Sequence, residues 1–131
     1  MLDIKFLSVQ EITLIHDSII SKLGGLSGVR DYGLLESAIQ RPRNHFMYKD
    51  ELSIPYLSSV YLHAIVCGHV FNDGNKRTSL KISEIFLIRN GYFLTASNFE
   101  LEQLVLQLAD NQIDFDFLSQ MIDVFSVPYE L

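Results

Sequence analysis

The middle of this chain contains two apolar segments with helical character, separated by a short polar segment. The first, PYLSSVYLHAIVCGH, starts at Pro55, and proline is well tolerated in the first turn of a helix. The second, TSLKISEIFLIRNG, is apolar on most faces and ends at Asn90-Gly91, a typical helix stop. Because so apolar a helix needs other elements to cover it, we expect this second helix at the centre of a helical bundle.

Two further helices are predicted before this pair. Ser8 followed by Glu11 has the spacing of a capping box, and the glycines at 24–25 should end the helix that it starts. Asp31 is positioned to cap a short second helix, DYGLLESAIQ, which we expect Pro42 to close. The N-terminal part of the chain therefore predicts two helices joined by a glycine-rich turn.

The remaining segments contain one loop, two more helices and a weak strand signal. Residues 42–54 have no clean periodicity, so we expect a loop there, with at most a short extended piece. Ser97 with Glu100 again has capping-box spacing, and Asp114 is placed to cap the last helix. YFLTA at 92–96 is a modest strand candidate. These signals predict an all-α fold, a compact bundle of about six helices, with at most a short β-hairpin or extended flap.

The composition argues against several classes of protein. The net charge of −6 weakens a nucleic-acid-binding interpretation, because surfaces that follow phosphate backbones need an excess of basic residues. The longest mostly apolar run is too short to span a bilayer, and we expect no signal peptide at the N-terminus. Cys67 is the only cysteine, which excludes an internal disulfide framework. We therefore expect one domain over residues 1–131, acting in the cytoplasm without nucleic acid or membrane.

The polar segment HVFNDGNKR, residues 69–77, has the composition of a phosphate site. The start of the following helix leaves backbone N–H groups unpaired and carries the positive end of the helix dipole, which attracts anions. Gly74 lets a ligand oxygen approach the backbone closely, and Asn75 adds an amide. Lys76 and Arg77 add positive charge, and the planar fork of arginine suits phosphate oxygens.

An aspartate and a histidine extend this site toward catalysis. A carboxylate that faces phosphates, as Asp73 would here, typically holds Mg²⁺. His69 is the residue type best suited to exchange protons near neutral pH. An anion cradle, a metal ligand and a general base are what phosphoryl or nucleotidyl transfer requires. The chemistry alone also allows a plain turn at 73–74 with solvated cations and a core histidine, so both interpretations stay open at this point.

The same nine residues resemble the signature loop of the Fic/Doc superfamily and, more narrowly, of the death-on-curing (Doc) toxins. The general signature is His-Pro-Phe-x-Asp/Glu-Gly-Asn-Gly-Arg-x-x-Arg. The identities in register are His69, Phe71, Asp73, Gly74, Asn75 and Arg77. Val70, Lys76 and Leu80 replace proline, glycine and the last arginine, and a lysine before the arginine is the Doc variant. The upstream stretch GGLSGVRDYGLLESAIQRP is also similar to the N-terminal half of Doc-like proteins.

The resemblance implies an all-α Fic/Doc-type core whose loop binds ATP and Mg²⁺. In that arrangement His69 would deprotonate the target hydroxyl, Asp73 would hold the metal and Phe71 would anchor the loop in the core. The expected phosphate-binding groups are the backbone and side chains of Gly74, Asn75, Lys76 and Arg77. The region before the catalytic helix forms a target-aligning flap in the family, which here would fall within 43–54.

The departures from the general signature bear on the reaction. Most Fic enzymes transfer AMP. Doc-type enzymes bind ATP in the opposite orientation, so that its γ-phosphate meets the hydroxyl, and they phosphorylate a threonine of elongation factor Tu. Lys76 would crowd the AMP-transfer pose, and Leu80 removes an arginine that would hold phosphate, so the resemblance favours a kinase toxin that inhibits translation. The alternatives are a Fic-type AMP-transferase and a catalytically idle Fic-fold binding protein. The intact catalytic residues argue against the idle protein.

The resemblance also implies a partner. Many Fic proteins carry a self-inhibiting helix marked Ser/Thr-x-x-x-Glu-Gly/Asn. Ser126 and Glu130 have this spacing, but Pro128 lies between them and Leu131 follows, so we expect no such helix. A separate antitoxin is expected instead, restraining the toxin with a flexible segment that folds as a helix into a groove.

Six other residues invite a metal or functional interpretation. His63 and Cys67 are four residues apart, but no further ligand is suitably spaced, so we expect both to pack in the core. His16 and His45 have no partner visible in the sequence, and we expect surface or packing positions for them. Arg30-Asp31 is explained as well by a turn and a helix cap as by the family resemblance.

Overall fold

The computed structural model of the protein describes residues 3–129, which form six helices and two short strands. The helices are α1 (Val9–Leu23), α2 (Tyr32–Tyr48), α3 (Ile54–Gly68), α4 (Asn75–Arg89), α5 (Asn98–Ala109) and α6 (Phe115–Phe125). The strands are β1 (Tyr92–Leu94) and β2 (Ser126–Pro128). The predicted all-α bundle is confirmed. Among residues 3–129, no helix combines the length and the apolar character that crossing a membrane requires.

The centre of the bundle is α3. Eleven of its 15 residues are buried, and it packs against α2, α4, α5 and α6. The expectation that α4 would be central is wrong, because only six of its 15 residues are buried. One face of α4 packs on α3, and the other carries charged residues beside a groove.

The predicted helix starts are confirmed by their capping contacts. In α1 and α5 the capping box is complete: the cap serine accepts the N–H of a glutamate, whose side chain accepts the serine N–H. The cap residues that accept an N–H from the first turn of these predicted helices are Ser8, Asp31, Ser97 and Asp114. Ser53, which the sequence did not single out, caps α3 by accepting the N–H of Tyr56.

The second helix is longer than predicted. It continues through Pro42 to Tyr48, although proline inside a helix loses a hydrogen bond and costs about 3 kcal/mol. Pro42 is buried and Phe46 packs on the core, so tertiary burial offsets that cost. The loop predicted for 42–54 is therefore wrong over 42–48, and the observed loop covers residues 49–53. Within the expected flap region, 43–54, these are also the residues without regular structure.

The strand signal after α4 is confirmed, but its partner is distant in the sequence. β1 pairs antiparallel with β2, with Tyr92 opposite Pro128, so the pair is not a hairpin. Residues 126–128 form β2 directly after α6, so this part of the weighed inhibitory segment is extended and not helical. Glu130, which we weighed as part of an inhibitory helix, lies outside the described residues.

Candidate functional site

Residues 69–74 of the signature loop connect α3 to α4, and its residues 75–77 form the first turn of α4. His69 ends α3 in the left-handed conformation (φ 48°, ψ 52°), which is uncommon for a residue with a side chain but is enriched in histidine. The His69 side chain is exposed. Phe71 is 1% exposed and belongs to the core. The loop therefore presents its histidine to solvent and buries its phenylalanine two residues later.

The side chain of Asn75 closes the loop from inside. Its Oδ1 accepts the backbone N–H of Phe71 at 2.9 Å, and its Nδ2 donates to the Phe71 carbonyl oxygen at 2.9 Å. Both functional groups of the amide are therefore engaged with the backbone. The expected contact of this side chain with phosphate remains a prediction, and the geometry assigns the side chain a structural task as well.

The start of α4 has no side-chain cap among the described residues. Its N-cap is Gly74, in the left-handed conformation (φ 74°). The first backbone bond of the helix runs from the N–H of Thr78 to the carbonyl oxygen of Gly74 at 2.9 Å. The N–H groups before it form the unpaired, electropositive end of the helix. A Cβ on Gly74 would lie 3.1 Å from the Cδ1 of Ile20, which adds a steric reason for glycine.

Asp73 is held as an ionised carboxylate. Its Oδ2 accepts the N–H of Leu26 at 3.1 Å, and its Oδ1 accepts the N–H of Gly74 at 2.8 Å. These backbone N–H groups, with a smaller contribution from Arg77, lower the pKa of the Asp73 carboxyl below its usual range. Gly25 is needed beside it, because a Cβ there would lie 2.7 Å from Oδ2.

This pKa shift predicts a dependence of stability on pH. Because the pKa of Asp73 is lower in the folded than in the unfolded protein, its contribution is present above the unfolded value of 3.8 and is lost as the pH falls through the folded pKa. We expect Asp73→Asn to destabilise the protein at neutral pH, with the difference from wild type shrinking below that unfolded value. Urea unfolding of both proteins from pH 7 downward measures the difference. A gap that is independent of pH would contradict the assignment.

A glycine-rich segment, residues 24–30, runs beside the loop. The Asn72 N–H donates to the Gly28 carbonyl oxygen at 3.1 Å, and the Arg30 N–H donates to the Val70 carbonyl oxygen at 2.9 Å. The side-chain amide of Asn72 adds a bond to the Ser27 carbonyl oxygen at 3.0 Å. The upstream stretch that resembles Doc-like proteins thus lies against the signature loop.

His16 was not predicted to belong to this site. It is 1% exposed, and its Nε2–H donates to the Asp73 carbonyl oxygen at 2.8 Å. Its ring stacks on Phe71 with 3.8 Å between centroids and 6° between planes. It occupies a packing position, as expected, but with a partner that the sequence did not reveal. Its spacing of four residues from Ile12 was the available signal, since both lie on the buried face of α1.

Arg30 was also missed. Its Nε donates to the His69 carbonyl oxygen at 2.6 Å, and its Nη2 donates to the Gly68 carbonyl oxygen at 3.1 Å. Asp31 beside it caps α2, so the turn-and-cap explanation is correct for the aspartate and incomplete for the arginine. Arg30 lies 39 positions from His69 and 38 from Gly68, so no local pattern in the sequence reveals these contacts.

The two cations of the loop lie at a groove between α1, α4 and α5. Arg77 is partly buried and donates through Nη2 to the Gly24 carbonyl oxygen at 3.1 Å. Lys76 is exposed. Both residues and Leu80 line the groove, which has a volume of about 900 Å³.

The remaining two histidines and the cysteine lie on α2 and α3. His63 and Cys67 line a separate cavity of about 500 Å³. Cys67 is exposed, so the expectation of core packing is wrong for it, whereas His63 is partly buried against Phe115. His45 is partly buried beside Tyr56, a packing position as expected. Within residues 3–129, no three His, Cys, Asp or Glu side chains are grouped to hold a metal.

Comparisons with known proteins agree with this geometry. A sequence profile of the Fic/DOC family matches residues 6–87. The protein named Protein kinase doc, from Escherichia phage P1, is 38% identical over 109 residues, covering 83% of this chain and 86% of that protein. The protein named Toxin Doc, from Mycolicibacterium smegmatis, is 33% identical over 109 residues, covering 79% of this chain and 82% of that protein.

The family match begins before α1, ends near the C-terminus of α4, and so includes both the glycine-rich segment and the signature loop. The relatives extend the similarity over most of the chain. The chain belongs to the Fic/DOC family.

Proposed function

We propose that this protein is a Doc-like toxin that transfers the γ-phosphate of ATP to a threonine or serine hydroxyl of a target protein. The proposed target is elongation factor Tu, so the reaction would stop translation in the cytoplasm and arrest growth. One observation carries the proposal: a single loop bears an exposed imidazole, an ionised carboxylate and the uncapped start of a helix. The names of the two relatives, a protein kinase and a toxin, support it.

In the proposed reaction His69 accepts the proton of the target hydroxyl. The hydroxyl oxygen then bonds to the γ-phosphorus, the bond from that phosphorus to the β–γ bridging oxygen breaks, and ADP leaves. The proton on the imidazole passes to solvent afterwards. The exposure of His69 supports this role, because a base at this position has to meet a residue of another protein.

The triphosphate would be bound at the start of α4. Its unpaired N–H groups offer a positive field, and Lys76 and Arg77 add full charges. Arg77 donates to the Gly24 carbonyl oxygen, so its guanidinium is oriented in advance, whereas Lys76 is exposed.

Asp73 fits the role of the magnesium ligand. Its carboxylate is ionised, and within residues 3–129 each oxygen accepts one N–H, which leaves lone pairs for a cation. Mg²⁺ is usually held by one or two carboxylates together with phosphate oxygens, so a single aspartate is sufficient when a nucleotide is present. When bound, the cation would supply charge neutralisation on the phosphate oxygens.

The preference for γ-phosphate transfer over AMP transfer rests on two residues. Lys76 replaces the glycine of the general signature and adds a bulky cation beside the phosphate-binding N–H groups. Leu80, one turn further along α4, lines the groove with an apolar side chain where the general signature has an arginine. Both changes disfavour the pose in which the α-phosphate meets the hydroxyl.

Labelled nucleotide tests the proposal. The protein is incubated with Mg·ATP and a cell extract, with the label in the γ- or the α-phosphate, and the modified protein is weighed by mass spectrometry. We expect the mass of one phosphate, label from γ-labelled ATP only, and a modified threonine or serine in elongation factor Tu. Label from α-labelled ATP and the mass of one adenylate would instead identify an AMP-transferase.

The antitoxin is proposed to bind in the groove between α1, α4 and α5. Three leucines at this groove are strongly exposed: Leu14 (68%), Leu23 (65%) and Leu106 (41%). Basic residues outnumber acidic ones in the groove lining, which includes Lys22, Lys76, Arg77 and Lys81 against Glu84 and Glu102. An amphipathic helix with apolar anchors and acidic flanks complements such a surface.

Photo-crosslinking from the groove tests this binding mode. We expect a photoreactive phenylalanine at position 14, expressed in the host, to capture one small partner through a helical segment. The same residue at position 124, also exposed (69%) but outside the groove lining and the expected flap region, serves as the control and should capture none. Capture at 124 and not at 14 would contradict the assigned groove.

A further inference from the structure

We propose that Arg30 is a positioning residue that aims the His69 imidazole at the target hydroxyl. Arg30 lies outside the signature loop, in the glycine-rich segment beside it. The inference rests on the proposed function for its kinetic consequence, while its structural part can be measured without activity.

The contact lies at the electronegative end of α3. The last carbonyl groups of a helix have no partner within it and carry the negative end of the helix dipole. The guanidinium of Arg30 binds two of these groups with its fork, the carbonyl oxygens of Gly68 at 3.1 Å and His69 at 2.6 Å. Hydrogen bonds from a charged donor are about twice as strong as neutral ones.

The bond to His69 holds a conformation that the backbone resists. A left-handed φ of 48° is sparsely populated by residues with a side chain and persists when its surroundings enforce it. The backbone conformation at residue 69 sets the direction of its Cα–Cβ bond. It therefore sets the direction in which the imidazole leaves the backbone. Arg30 binds the carbonyl of that same residue, and thereby restrains ψ.

The side chain and the backbone of Arg30 make different contacts: the side chain orients His69, and the backbone attaches the signature loop to the glycine-rich segment. The backbone N–H of Arg30 bonds to the Val70 carbonyl oxygen at 2.9 Å, and a side-chain substitution leaves this bond in place. Arg30 is exposed, and within residues 3–129 no carboxylate forms an ion pair with it. Its removal should therefore loosen residues 68–69 without unfolding the protein.

Kinetics of matched arginine variants test the inference. We expect Arg30→Ala to lower kcat about 10- to 100-fold, the cost of misplacing a catalytic group by about 1 Å. KM for Mg·ATP should change by less than about threefold, because the phosphate contacts lie at the start of α4. Arg30→Lys should recover part of the loss. Arg89→Ala, which removes an exposed arginine paired with Glu11, should have wild-type kinetics.

A double variant shows whether Arg30 acts through His69. In a His69→Ala background, adding Arg30→Ala should cost nothing further, because the group that it positions is gone. A further tenfold loss in that background, or an equal loss in Arg89→Ala, would overturn the inference.

Nuclear magnetic resonance separates this inference from the proposed function. We expect Arg30→Ala to shift or broaden the amide resonances of residues 68–70 and the ring resonances of His69, with Arg89→Ala unchanged there. Unchanged resonances in Arg30→Ala would overturn the positioning role. If the wild-type protein transfers no phosphate, the proposed function fails, and these resonances still decide whether Arg30 fixes His69.

Discussion

Replacing His69 with alanine is expected to lower phosphate transfer at least about 100-fold, since a correctly placed general base contributes about 10²–10⁴-fold. The fold should survive, because the side chain is exposed and most substitutions at exposed positions change stability little. Initial rates with γ-labelled ATP and a purified target measure the effect, and thermal unfolding measures the stability.

Asparagine is the matched replacement at this position. It tolerates the left-handed backbone of residue 69 better than alanine does but cannot act as a base, so His69→Asn should be as inactive as His69→Ala and at least as stable. Growth of cells that express each variant provides a second readout. A folded variant that keeps near-wild-type activity would contradict the assignment of the base. Growth arrest that survives both substitutions would favour a binding role.

Replacing Asn75 with alanine is expected to lower the free energy of unfolding by about 2 kcal/mol, because the N–H and the carbonyl of Phe71 both lose their partner. Phe71 is buried and stacked on His16, so its backbone is not free to turn toward water. Transfer should fall as well, since the same bonds fix the loop between the base and the phosphate site. Urea unfolding at pH 7 gives the stability.

Two variants sharpen this prediction. Asn75→Asp keeps an acceptor for the Phe71 N–H but sets a second oxygen against the Phe71 carbonyl, so it should be destabilised despite its favourable charge at a helix start. Asn72→Ala removes an exposed amide that donates one hydrogen bond to the Ser27 carbonyl oxygen. It should lower the free energy of unfolding by less than about 1 kcal/mol. If Asn75→Ala keeps full stability and loses only nucleotide binding, the side chain serves phosphate alone.

The features that sequence reasoning predicted correctly depend on neighbours in the chain. The capping boxes at Ser8 and Ser97 join residues three positions apart, and a helix forms its first turn from those same residues. The polar segment between two apolar helices marked the candidate site for the same reason, since its nine residues are consecutive, six in the connection between α3 and α4 and three in the first turn of α4.

Local patterns misjudged the features that depend on burial. Pro42 is an ordinary helix stop in the sequence, yet α2 continues because the proline and Phe46 are covered by the core. The partners that cover Pro42 are far away in the sequence, so no local pattern shows them. The error over α4 has another cause: the prediction followed the apolar residues of α4 and not its charged ones, whereas α3 contains no Lys, Arg, Asp or Glu and is the more completely buried helix.

The sequence by itself determined which residues make up the signature loop and where its helices begin, because caps, glycines and charge act over a few residues. Only the tertiary structure decided what holds that loop. His16 and Arg30 reach it from 57 and 39 positions away, and the strand partner of β1 lies beyond two helices. Such contacts form only when the chain folds around α3 and brings distant segments together. Local spacing in the sequence therefore does not show which of these groups will meet.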